Sequence, residues 1–195
     1  MSRAEMRREN VKEVARRLFV ENGFHATGIA LIAKESRVAV QQLYRDFPAK
    51  EDIIAAIVEE DCRRFADLAT LDAALAAEDR VGVRAWLEAA TCKKDDDGDP
   101  LFLEIAAEAS RNERIHAIFA TVRETMSENI SRAFAGLTGS AAVTGEHRLL
   151  AESFMIVSIG SVFTRTLHGR AVQAASAKLL SCLIDGAIAP HPEPA

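Results

Sequence analysis

Two adjacent glutamines, Gln41 and Gln42, are followed by Tyr44 and Arg45, with Lys50 five residues beyond and Thr27 and Arg37 upstream. A glutamine amide can pair with adenine through two hydrogen bonds, and an arginine with guanine. Tyrosine, lysine and arginine also reach phosphate oxygens, and such contacts position a protein on a duplex without reading it. The Thr27 hydroxyl, at the start of a helical pattern, would make a phosphate seat. On one short helix with Val40 at its start, these residues suit a DNA major groove. They equally suit the solvated face of a plain helical bundle, and spacing alone leaves the two readings level.

Other chemistry has less in its favour. The chain has no His-Glu-x-x-His, no Gly-rich phosphate loop and no Gly-x-Ser-x-Gly. Glu113 and His116 form one Glu-x-x-His, whereas a di-metal bundle needs two such pairs and facing carboxylates. The run Asp95-Asp96-Asp97-Gly98-Asp99 fails as a calcium loop: its first position would be Lys93, and Pro100 falls inside it. It reads as an interhelical turn, with Asp99 capping the next helix. Cys62, Cys92 and Cys182 are odd in number and lack zinc spacing, so we expect reduced, mostly buried thiols. No catalytic residue, metal or cofactor is expected, and the chain is not expected to be an enzyme.

The elements that must hold the Gln-Gln-x-Tyr-Arg segment are helical. Val11, Val14, Ala15, Leu18 and Phe19 recur at helical spacing and predict an amphipathic helix from Arg3 to Asn22, ended by Gly23. Thr27 is expected to cap a short helix within Gly28 to Ser36, and a second short helix runs from Ala39 to Arg45. Pro48 then opens a long helix toward Leu68 with the apolar stripe Ile53, Ile54, Ile57, Val58, Phe65 and Leu68. Helices are expected over 79–91, 99–111, 112–134, 144–167 and 171–188, with no strand and a frayed tail at 190–195. Two short helices braced by longer ones have the dimensions of a helix-turn-helix.

Charge supports a division of labour. Residues 1–50 hold 10 Lys+Arg against 6 Asp+Glu, while the other 145 hold 14 against 23, so a basic head precedes an acidic body. At 195 residues, 49% hydrophobic and 27% charged, the chain can bury a full core. The longest charge-free apolar stretch, Ser153 to Thr164, is shorter than the ~20 residues of a membrane span. The opening Met-Ser-Arg-Ala-Glu-Met-Arg-Arg-Glu is charged where a signal peptide is apolar. No membrane partner and a cytoplasmic location are expected.

The string Ala15-x-x-x-Phe19-x-x-x-Gly23-Phe24-x-x-Thr27-x-Ile29-x-x-Ile32-Ala33, then Leu43-Tyr44-x-x-Phe47-x-x-Lys50-Glu51, resembles the N-terminal DNA-binding domain of the tetracycline-repressor (TetR/AcrR) family. The resemblance covers about 50 residues and implies an all-α fold: a three-helix helix-turn-helix domain over 1–50, with the motif about 28–47, and a helical effector-binding and dimerisation domain over 51–189. It implies that Thr27, Tyr44 and Lys50 meet phosphates, that the helix from Ala39 to Arg45 reads bases, and that Phe19, Phe24, Ile32 and Phe47 are core. Two residues depart from the pattern. Arg37 stands where the family commonly has Gly, and Ala39 where a Ser often caps the recognition helix; each costs on the order of 1 kcal/mol if the turn needs a left-handed residue and the helix a cap. Arg37 could instead lie against a phosphate.

The same resemblance implies a homodimer and a small-molecule effector of apolar or amphipathic character. Leu149 to Ala189 carries only five charges, so its helices must be covered on more than one side. We expect Phe154, Val157, Ser158, Ser161, Leu179 and Leu183 at the dimer interface. Trp86, Phe102, Ile105, Phe119 and Met126 lie where the family builds its effector cavity, although core packing also explains each of them. The expected function is an effector-released repressor acting on operator DNA. The alternative is a helical ligand-binding protein whose DNA binding has weakened or been lost.

Overall fold

The computed structural model describes residues 1–65, 67–89, 98–168 and 173–188. Cys92, the acidic residues 95–97 and the tail 190–195 lie outside them, as do the side chains of Cys62 and Asp99. Among the described residues every regular element is a helix: α1 (Arg3–Asn22), α2 (Ile29–Glu35), α3 (Val40–Asp46), α4 (Lys50–Phe65), α5 (Leu68–Ala76), α6 (Arg80–Ala89), α7 (Gly98–Ala109), α8 (Glu113–Thr138), α9 (Gly145–His168) and α10 (Gln173–Ile188). The all-α expectation holds, and α1 has the predicted bounds.

Two compact units are formed. The first comprises Met1–Cys62 and Asp97–Val122. Ser2 caps α1 through a reciprocal pair with Glu5, satisfying two free N–H groups at the helix start. Gly23 ends α1 at φ 81°, a left-handed conformation that costs glycine nothing. Phe19, Phe24, Ile32 and Phe47, expected as core, are all buried, together with Leu43 and the α4 residues Ile53, Ile54 and Ile57. Leu101 and Ile105 of α7 and Ile115 of α8 complete the same cluster. The head is thus larger than the sequence division at residue 50 implies, because α4 and α7 supply the apolar surface that three short helices lack.

The second unit comprises Arg63–Asp96 and Arg123–Ala195. Its core joins Leu71, Leu87, Phe134, Phe154 and Ile184, with the Phe134 and Phe154 rings edge to face at 6.1 Å. Helix α5 was not expected: the apolar pattern was read as one helix running to Leu68. Asp67 interrupts it, accepting from Thr70 N–H and Thr70 Oγ1 to start a new helix. His147 fixes the α8–α9 connection, its Nδ1 accepting from Thr144 N–H at 3.0 Å and its Nε2–H donating to Thr138 Oγ1 at 3.0 Å.

Helix α9 is long and apolar enough by length and composition to cross a bilayer, with a mean hydropathy of 1.2 over its best window. The sequence predicts no such segment because its charge-free stretch, Ser153 to Thr164, ends at the flanking charges. The helix runs through both: Glu152 pairs with Arg123 of α8, and Arg165 is buried.

Candidate nucleic-acid interface

The helix-turn-helix is built by α2, the turn at 36–39 and α3. At the turn, Ser36 N–H donates to the Ile32 carbonyl at 2.9 Å and Val38 N–H reaches back to Ala33 at 3.0 Å. That second, longer-range bond requires a left-handed residue between them, and Arg37 supplies it at φ 56°. The position is the one where the family pattern commonly has Gly, and Arg37 carries the strain of a side chain there, on the order of 1 kcal/mol. Ser36 Oγ returns to the Ile32 carbonyl at 2.6 Å, and Asn10 Nδ2 of α1 donates to the Ser36 carbonyl at 2.8 Å, so the turn is held from two sides. Ala39 starts α3 without a side-chain cap, as its methyl group dictates. Leu43, fully buried, anchors the helix from beneath.

What α3 turns outward is the expected set. Val40, Gln41, Tyr44 and Arg45 are exposed, and Arg37 is exposed beside them. Gln42 is half-buried, its Nε2 donating to Asp46 Oδ1 at 3.3 Å.

The basic residues of the head divide into two groups. Apart from the exposed Arg3, those of α1 are engaged within the unit: Arg7 with Asp46 at 2.5 Å, Lys12 with Glu60 at 2.5 Å, Arg16 with Asp61 at 2.6 Å and Arg17 with Glu21 at 2.9 Å. Arg8 stacks over the Phe47 ring and donates to the Asp46 carbonyl. The side chains of Lys34, Arg37 and Arg45, on α2, the turn and α3, have no intramolecular partner among the described residues. Apart from Arg3, the free positive charge of residues 1–50 is therefore on the two helices and the turn that carry the exposed glutamine and tyrosine.

Two expected phosphate contacts are corrected. Thr27 is fully buried, and its hydroxyl lies 2.8 Å from the Gly23 carbonyl and 3.0 Å from that of Leu18, so it locks the α1–α2 connection rather than facing outward. Nor does it cap α2, which starts at Gly28 without a side-chain cap. Lys50 is half-buried; its Nζ donates to the Phe24 carbonyl at 2.5 Å and the Thr27 carbonyl at 3.1 Å and lies 3.9 Å from the Phe24 ring centre. Burial holds its pKa below that of an ordinary lysine. Both residues are scaffold for the motif.

Helix α7 grips the same connection by contacts that the sequence does not advertise. Glu104 Oε1 accepts from Phe24 N–H at 2.7 Å. Glu108 is buried, pairs with Arg111 three residues on at 3.1 Å and also meets His25 Nε2 at 2.9 Å.

The residues expected at an effector site are not brought to one place within either unit. Ile105 is core of the first unit, where the half-buried Phe102 and Phe119 rings lie 5.6 Å apart. Trp86 is buried in the second unit and donates through Nε1 to the Asp67 carbonyl at 3.0 Å, and Met126 packs against that unit's core. The second unit also has an open cleft of about 530 Å³ between α5, α6, the end of α8 and residues 139–143, lined by none of these five.

The expected interface residues are corrected in part. Phe154 and Ser161 face inward, and Val157 and Leu183 pack against the core; Ser158 is half-buried, and Leu179 alone of the six is exposed. Because α9 is apolar on several faces, hydropathy did not tell its inner stripe from its outer one. The outer stripe is Leu149, Ile156 and Phe163 at seven-residue spacing, with Ile159 and Leu167 beside them. On α10, Leu179 and Cys182 are exposed, which corrects the expectation of a buried thiol at Cys182, the one cysteine whose side chain is among the described residues.

Known proteins share parts of this geometry. Residues 13–57 match the family model for bacterial regulatory proteins of the tetR family. The HTH-type transcriptional regulator UidR of Escherichia coli K12 is 26% identical over 142 residues, covering 66% of this chain and 65% of its own. Among solved structures, Salmonella enterica GusR aligns over 96% of this chain and 98% of its own, with a TM-score of 0.70 and 23% identity. A putative transcriptional regulator from Saccharomonospora viridis in complex with choline aligns over 91% of this chain and 95% of its own, with a TM-score of 0.67 and 18% identity. The helix-turn-helix region is thus similar to the tetR family of bacterial regulatory proteins over residues 13–57, and the all-helical fold is shared with these solved structures.

Proposed function

We propose that the protein is a cytoplasmic, sequence-specific DNA-binding transcriptional regulator, acting as a homodimer that represses from operator DNA until a small molecule releases it. The observation that carries this reading is the outer face of α3 and its turn, where Gln41, Tyr44, Arg37 and Arg45 are exposed and both arginines lack intramolecular partners among the described residues. A solvated bundle surface gives no reason to pair Arg7, Lys12, Arg16 and Arg17 of α1 inside the unit and leave these ones open. In this reading Gln41 and Gln42 reach base edges, Tyr44, Arg37 and Arg45 reach phosphates, and Val40 lies against the groove. The family consists of regulators rather than enzymes, and no catalytic step is proposed.

Dimerisation is supported by the outer stripe of α9 together with Leu179 and Cys182 of α10. Five large apolar side chains on one helix, each 45% exposed or more, form a patch of the kind that soluble proteins cover. A second copy of the same two helices would cover it and set two recognition helices on half-sites about 34 Å, or a multiple of it, apart. The functional division we retain is DNA binding by 1–50 and effector binding and dimerisation by 51–189. An apolar or amphipathic effector remains the proposed class; the half-buried Phe102–Phe119 pair is the candidate contact in the first unit, with Phe119 packed against the core cluster that includes Ile105. Trp86 and Met126 are the candidates in the second. The S. viridis neighbour, solved with choline, supports a small-molecule ligand on this fold. Effector binding would shift the dimer population away from the spacing that DNA requires.

Fluorescence anisotropy on mixed-sequence duplex DNA tests the reading: affinity should fall steeply between about 50 and 200 mM salt, as when several phosphates are neutralised. Binding without salt dependence, or none at low salt, would favour the alternative of a helical ligand-binding protein. That alternative has the strained Arg37 and uncapped Ala39 on its side.

A further inference from the structure

We propose that Asp46, clamped by Arg7, is a positioning residue that fixes the Gln42 amide in the orientation that selects adenine. The inference rests on the DNA-binding reading above and goes beyond it by assigning a base to one position of the half-site.

The geometry spans two helices. Arg7 of α1 donates through Nε to Asp46 Oδ2 at 2.5 Å and through Nη2 to Oδ1 at 3.0 Å, a two-pronged pair that leaves the carboxylate little freedom to rotate. Arg8 holds the Asp46 carbonyl from the same side. One turn back along α3, Gln42 Nε2 donates to Oδ1 at 3.3 Å. The Asp46 carboxyl lies below its usual pKa, with the Arg7 hydrogen bond as the leading cause, so it stays ionised and accepts only.

An acceptor-only partner dictates which way an amide points. With Nε2 toward Asp46, Gln42 keeps Oε1 and one Nε2 hydrogen for a ligand. Turned by 180°, it would set Oε1 against a carboxylate oxygen, two acceptors with no proton between them. The remaining acceptor and donor match the N6 amino group and N7 of adenine. Guanine presents two acceptors, O6 and N7, and would meet Oε1 with repulsion; cytosine and thymine each offer one complementary group in place of two. The glutamine is thus oriented before DNA arrives, with its specificity set by an ion pair that touches no base.

The test is selection of bound fragments from random duplex DNA by the wild-type protein and by Asp46→Asn, Arg7→Lys, Gln42→Ala and the Asp46→Asn/Gln42→Ala double variant. An asparagine at 46 can both donate and accept, which permits either orientation of Gln42. The wild type should enrich adenine at one position per half-site. Asp46→Asn should reduce that preference by about five- to a hundredfold, the range a two-bond base contact confers, with other positions and the salt slope unchanged. Gln42→Ala should lose preference at the same position, and the double variant should lose no more than Gln42→Ala alone. Arg7→Lys, which keeps the charge but not the two-pronged geometry, should be intermediate; it carries the test if Asp46→Asn does not fold by circular dichroism. A wild-type site with unchanged preference in folded Asp46→Asn, or in Arg7→Lys if that variant carries the test, overturns the inference and leaves DNA binding intact. So does an equal loss on all sequences. No enriched sequence for the wild type overturns the DNA reading and this inference with it.

Discussion

The Lys50 ammonium lies 3.9 Å from the centre of the Phe24 ring and 2.5 Å from the Phe24 carbonyl oxygen, so the first residue of α4 caps the α1–α2 connection instead of facing outward. Lys50→Ala should therefore act on stability before it acts on DNA. Losing hydrogen bonds from a cation, together with its ring contact, should cost about 1–3 kcal/mol in urea denaturation. Thr27→Val, which removes a buried hydroxyl bonded to two carbonyls, should cost a similar amount. A phosphate role for Lys50 would instead show as a shallower salt dependence with stability unchanged.

Arg37 poses the opposite trade. Arg37→Gly should leave stability unchanged or raise it by up to about 1 kcal/mol, because glycine adopts φ 56° without strain. The same change should weaken binding to all DNA sequences alike and lower the slope of log affinity against log salt by about one. Urea denaturation reads the first effect, and anisotropy titrations at three salt concentrations read the second.

The Arg7–Asp46 pair should shape the acid limb of stability. Asp46 has its folded-state pKa lowered from an ordinary value of 3.8, chiefly by the Arg7 hydrogen bond. Its contribution is then present above that value and lost as pH falls through the lower, folded-state value. Asp46→Asn should flatten thermal stability against pH below about 4, relative to the wild type, with the two curves running parallel above it.

Ile156→Glu or Phe163→Glu should yield a folded monomer. Both side chains are more than half exposed on the outer stripe of α9, so the substitution leaves the core of the unit untouched while placing a charge in the proposed interface. Phe154→Ala, one stripe inward, should instead unfold the second unit at lower denaturant, by about 3–5 kcal/mol. Light scattering after size exclusion, together with urea melts, distinguishes the two stripes.

Much of the head was legible in the sequence because its signals are local. Helical spacing gave α1, Gly23 gave its end, and the string from Ala15 to Glu51 gave the motif and its buried aromatics. The orientation of single polar side chains was less legible. Thr27 and Lys50 have types that serve phosphates or backbone carbonyls equally well, and only the fold shows that carbonyls lie nearer. Glu104, Glu108 and Asp61 bond to partners tens of residues away, beyond any pattern read in a window. Helix α5 was missed because Asp67 reads as one polar residue in an apolar run until its capping bonds are seen. In the second unit, apolar residues surround α9, so the choice between its inner and outer stripes rested on packing against α8 and α10.

The central claim, a dimer whose α3 helices read DNA, is tested most directly by selecting fragments from random duplex DNA with the effector-free protein near physiological salt, using Tyr44→Ala as the control. Tyr44 is half exposed on α3 and buries little, so its loss should spare the fold. The account predicts a palindrome with two half-sites spaced by whole helical turns, lost or strongly weakened in the control. Failure to enrich any sequence at that salt or lower, or an enriched site bound equally by Tyr44→Ala, would contradict it.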